Sequence, residues 1–132
     1  MYNDKEWISI IIRAIILAIL LVLLGIVYYV DAKPLNKRDG VNYYKGTKET
    51  YYNLPMDKIY AKADANFGSH HKKWIREDGV KMYGPYVVIA APFDVYPYGT
   101  WDVETSLGLA IVLDTGAFAE TNKNQIDIAV DW

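Results

Sequence analysis

The chain has 132 residues, no cysteine and a net charge of −2. That length holds one small domain rather than two. Residues 86–132 carry one basic residue, Lys123, against seven acidic ones, which is not how a phosphate-neutralising surface is built and excludes nucleic acid as a partner.

The first element is an apolar run. From Ala14 to Val30 there is no charged residue, and Arg13 is the only charge between Trp7 and Val30. A helix over residues 7–30 would be about 36 Å long, enough to span a bilayer. Residues 1–30 therefore read as a transmembrane signal anchor. Arg13 would snorkel, and Trp7 and Tyr28-Tyr29 would sit at the two interfaces. A cleaved signal peptide is the competing reading, with Val30-Asp31-Ala32 as a cleavage site. Lys33, Lys37 and Arg38 outnumber Lys5 and Arg13, so positive-inside counting favours a cytoplasmic C-terminal side. Missing cysteines fit either compartment.

Asp31–Lys48 is polar, with Lys-Pro and Lys-Gly steps, and reads as a linker. Asn53 and Pro55 predict the start of a short helix over about residues 55–66, with Gly68 ending it. Beyond it the texture changes. Trp74-Ile75, Val80–Tyr83, Tyr86–Ala91, Trp101–Glu104, Leu109–Leu113 and Ile126–Val130 are short β-type runs punctuated by Gly and Pro. That pattern predicts a mainly β domain over residues 49–132, a small barrel or sandwich.

Three carboxylates stand near these runs. Ile126, Ile128, Val130 and Trp132 alternate with Asp127, Ala129 and Asp131, the signature of a half-buried strand. Asp127 and Asp131 would lie about 13 Å apart along it, too far to touch. Asp127 is better placed to work with a carboxylate from a neighbouring strand, such as Asp114. Asp114-Thr115-Gly116 is also ordinary turn chemistry, but Asp127 falls inside a strand, where aspartate is disfavoured. His70-His71 lacks the companions of a zinc site, and Ser106 lacks a nucleophile elbow, so neither a metal nor another cofactor is expected. Tyr83, Tyr86, Tyr96, Tyr98 and Trp101 suit either sugar stacking or core filling.

Tyr86–Trp132 resembles the 3D domain, named for its three aspartates. That domain occurs in lytic transglycosylases of the MltA type and in small Gram-positive relatives linked to stationary-phase survival. The resemblance rests on Pro97-Tyr98-Gly99-Thr100, Leu113-Asp114-Thr115-Gly116, and Ile126-Asp127 with Asp131, in the family's order. The chain departs from the pattern at Ala91, where an aspartate precedes the proline, with Asp94 out of register. It departs again at Ala117, and in the loop Phe118–Gln125. The resemblance implies a six-stranded double-psi β-barrel and cleavage of the MurNAc–GlcNAc bond of peptidoglycan to a 1,6-anhydro product. It implies Asp127 and Asp114 as catalytic residues, in roles that are exchangeable. It implies Tyr98, Thr100, Thr115, Gly116 and Asp131 around the substrate. The partners implied are glycan strands and, through residues 7–30, the membrane, with a homodimer left open. A wall substrate places the barrel outside the membrane and the N-terminus inside, against the charge count. A non-catalytic glycan-binding or structural barrel, including one in a phage or conjugation apparatus, is the alternative.

Overall fold

The computed structural model describes residues 3–31 and 40–132. They fall into two compact units, one up to Pro34 and one from Leu35 onward. The first is the helix α1 (Asp4–Asp31). Its start is a reciprocal cap: Asn3 Oδ1 accepts from Glu6 N at 3.0 Å, and Glu6 Oε2 accepts from Asn3 N at 2.8 Å. From Ile8 to Leu23 the apolar side chains are exposed on every face, and Asp4–Leu23 is long and apolar enough to cross a membrane. The side chains of Tyr28 and Tyr29, and the flanking Lys33, Lys37 and Arg38, lie outside the described residues.

The second unit is mainly β. Its elements are β1 (Asn42–Tyr44), β2 (Thr47–Tyr52), α2 (Asp57–Phe67), β3 (Lys73–Ile75), β4 (Lys81–Tyr83), β5 (Tyr86–Ala90), β6 (Val103–Thr105), β7 (Gly108–Asp114), α3 (Phe118–Thr121) and β8 (Gln125–Ala129). Eight strands therefore stand among the described residues where six runs were expected. The two additions, β1 and β2, take in the end of the stretch read as a linker. They form a hairpin about Lys45-Gly46, whose φ angles of +49° and +82° match the twist of tight hairpin turns. The rest of that stretch, residues 32–39, lies outside the described residues.

The sheet is mixed. β2 runs parallel to β8, β8 antiparallel to β5, and β5 parallel to β7. β4 and β3 extend from the start of β5, and β6 pairs with β7. The central strand β5 reads Tyr-Val-Val-Ile-Ala without alternation because both of its faces are covered. One face packs Val87, Ile89, Ala110, Val112, Ile126 and Ile128 into the larger core. The opposite face packs Val88, Ile111, Leu113 and Ala129 with Met56 and Ala63 beside α2. Side chains also draw the two margins of the sheet together. Glu49 of β2, 1% exposed, accepts from Ser106 N at 2.9 Å and from Ser106 Oγ, and Lys45 meets Glu104 at 2.6 Å.

α2 ends as expected. The Gly68 N–H donates to Asp64 O at 2.9 Å, with φ +94°. Its start differs. Met56 is the cap position and supplies no side-chain bond, while Asn53 Oδ1 accepts from Lys81 Nζ at 2.8 Å. The buried lysine needs that acceptor, so Asn53 is used across the fold rather than along the helix.

Candidate functional site

Asp127 sits in the third position of β8, opposite Thr50 on one side and Ala90 on the other. Ala90 is also opposite Asp114 on β7. The two aspartates thus flank one residue of β5, about 10 Å apart by backbone spacing. A register irregularity falls between Ile89 and Ala90 on this pairing, where Val112 is followed by Asp114 as the next partner. Leu113, the extra residue, packs on the α2 side. Strict alternation would send Asp114 to the other face; the bulge turns it back toward the side that Asp127 occupies. Bulges re-aim side chains in this way.

Electrostatics agree with that placement. Asp127 is half-buried, and its carboxyl is pushed up to about 6, mainly by burial and further by the charge of Asp114. A hydrogen bond from Thr50 Oγ1, 3.1 Å from Asp127 Oδ1, opposes the rise. Gln125 Nε2 in turn donates to Thr50 Oγ1 at 3.0 Å, which fixes the threonine rotor. Asp114 Oδ1 accepts from Thr115 N at 2.9 Å. Why does the strand tolerate Asp127 at all? Ile126, Ile128 and Val130 are at most 1% exposed, each contributing about 1.5–3 kcal/mol. Their sum exceeds the roughly 3 kcal/mol that the shift in Asp127 represents.

Tyr52 completes the group. It lies two residues beyond Thr50 on the same face of β2, opposite Ala129. Its ring packs against the apolar cluster beneath α2, and its buried hydroxyl has no hydrogen-bond partner among the described residues. Burial first, then the charges of Asp114 and Asp127, push its pKa upward.

The other expected site residues are dispersed. Thr115 is exposed and contributes its backbone N–H to Asp114. Gly116 O accepts from Ala119 N at 3.0 Å and so starts the turn of α3. Thr100 Oγ1 donates to Pro97 O at 2.7 Å, and its carbonyl accepts from Val112 N, so it secures a turn beside β7. Tyr98 is stacked on Phe67 at 5.8 Å and lies under Lys62 Nζ at 4.4 Å, which leaves little of its ring for a sugar. Asp131 is exposed, past the end of β8. Its N–H donates to Gly79 O at 2.9 Å, and its charge acts on Lys81. Asp94 is paired with Lys123 at 3.0 Å, linking the loop after β5 to the loop before β8.

His70 and His71 stack on each other at 4.1 Å, and His71 Nε2 lies 3.2 Å from Phe67 O. Among the described residues no three His, Cys, Asp or Glu side chains group as metal ligands would. Sequence reasoning missed Thr50, Gln125 and Tyr52. No alternation of polar and apolar residues in Glu49-Thr50-Tyr51-Tyr52 marks a strand; the burial of Glu49 and Tyr51 against the partial exposure of Thr50 and Tyr52 appears only in the fold.

No family model matches this chain, and no curated protein or solved structure matches it significantly.

Proposed function

We propose that this chain is a membrane-anchored lytic transglycosylase that cleaves the MurNAc–GlcNAc β-1,4 bond of peptidoglycan, with Asp127 as general acid and then base. The observation that carries the reading is the pair Asp127 and Asp114 on either side of Ala90, with the Asp127 carboxyl raised to about 6. An acid with that value is half-protonated near pH 6, so it can both give a proton to a leaving group and take one back. Protonated Asp127 gives its proton to the glycosidic oxygen as the C1–O bond breaks. The resulting carboxylate takes a proton from the MurNAc C6 hydroxyl, whose oxygen closes on C1. The proton returned to Asp127 restores the enzyme, and no water is consumed. The charge of Asp114 helps hold the Asp127 proton.

The same reading extends to the fold and to location. Two parallel pairs, β2–β8 and β5–β7, join strands distant in sequence, and Glu49–Ser106 draws the sheet margins together. Both features support a double-psi barrel. The exposed apolar surface of α1 supports anchoring, and a wall substrate requires the barrel outside and the N-terminus inside.

Mass spectrometry of purified sacculi incubated with the protein tests the reading. Wild-type protein releases anhydromuropeptides, with turnover falling as pH rises above about 6. Asp127→Asn and Asp114→Asn release at least a hundredfold less, at the low end of what general acid–base catalysis contributes, about 10²–10⁴-fold. Full activity in both variants sinks the proposal. Retention on sacculi without turnover by the wild type selects a non-catalytic glycan-binding barrel.

A further inference from the structure

We infer that Tyr52 is the substrate-holding donor of this site, its hydroxyl bonding to an oxygen of a ligand lodged between Asp114 and Asp127. The glycan reading above supplies only the identity of that ligand. A buried hydroxyl without a partner costs about 1–3 kcal/mol, and folded proteins rarely leave one so. The other tyrosines around α2 show how this protein treats a structural hydroxyl. Tyr60 donates to Met82 O at 3.0 Å, and Tyr83 donates to Asp64 Oδ1 at 2.9 Å. Tyr52 has no such partner, although two carboxylates are close enough to act on it electrostatically. Each carboxylate already has its own donor, Thr50 for Asp127 and Thr115 N–H for Asp114.

Tyr98 has the same unpartnered buried hydroxyl, but no carboxylate acts on it and Phe67 covers its ring. Among the described residues the combination of an unpartnered hydroxyl with two carboxylates acting on it is therefore particular to Tyr52. Burial and both charges keep the phenol protonated, so it is a donor at every pH at which Asp127 can work. A phenol beside an acid and a carboxylate suits the hydroxyl or bridging oxygen of a neutral sugar, which takes one proton and gives another.

Tyr52→Phe tests this by thermal melting, by calorimetric titration with a soluble GlcNAc–MurNAc tetrasaccharide, and by kcat and KM on sacculi. The expected variant melts at or above the wild-type temperature, since it loses an unpaired group. It binds the tetrasaccharide about tenfold more weakly, with KM raised and the pH profile set by Asp127 unmoved. A lower melting temperature with unchanged affinity overturns the inference and makes the hydroxyl structural. Wild-type affinity in the variant, alongside an inactive Asp127→Asn, overturns Tyr52 alone. Wild-type protein that binds without turnover, and loses binding in Tyr52→Phe, overturns the transglycosylase reading and leaves Tyr52 in place. A wild type that does not bind the tetrasaccharide overturns both.

Discussion

Burial of Asp127 sets a stability cost on a single carboxyl. Its folded-state pKa of about 6 lies above the ordinary value of 3.8, so the native state holds the proton more tightly than the unfolded chain. The stabilisation is complete below about pH 4 and is lost as pH rises through 6. At neutral pH the carboxylate costs on the order of 2–3 kcal/mol relative to a neutral group. Asp127→Asn keeps an oxygen to accept from Thr50 and has no charge to desolvate. It therefore melts about 5 °C or more above wild type near pH 7.5, and the difference closes near pH 4. Melting curves at the two pH values check this. A gap of equal size at both would show that burial of charge is not what raises the group.

At the scale of elements, β2 couples the site to the rest of the sheet. Glu49 is almost wholly enclosed and accepts from Ser106 N, Ser106 Oγ and Asn42 Nδ2. Thr50 and Tyr52, one step to either side of Tyr51, face the aspartates. Glu49→Ala strands the Ser106 N–H and leaves a void, a loss of about 2–4 kcal/mol that urea denaturation measures. A change below about 0.5 kcal/mol would mean that the margins of the sheet are held by something else. The strands β3 to β8 were legible because Gly and Pro steps bracket their apolar runs. β1 and β2 were not, because Lys45-Gly46 lacks the Asn-Gly or Asp-Gly signature and Thr47–Thr50 is polar until its partners are known. Asp127 stood out in sequence as a charge inside a strand. Its relation to Asp114 depends on the bulge at Leu113, and a one-residue slip has no mark in composition. Asn53 read as a helix cap, and only tertiary contact shows it serving Lys81 instead.

For the whole molecule, α1 and the β unit obey different solvents. The apolar side chains of α1 from Ile8 to Leu23 are exposed, an arrangement stable in lipid and costly in water. Fractionation of expressing cells should recover the full-mass chain in the membrane pellet after alkaline extraction. A soluble species lacking about 30 residues would identify the helix as a cleaved signal instead. The placement of β8 has another consequence, in time rather than in space. β8 is the last strand in the described sequence, yet it lies in the middle of the sheet, between β2 and β5. Until residues 125–129 have been made, β2 and β5 share no neighbour, Thr50 has no opposite number, and Ala90 is flanked on one side only. Pairing across so much intervening chain is slow. A nascent chain therefore carries Asp114 without its companion until Asp127 has been made and β8 has paired with β5.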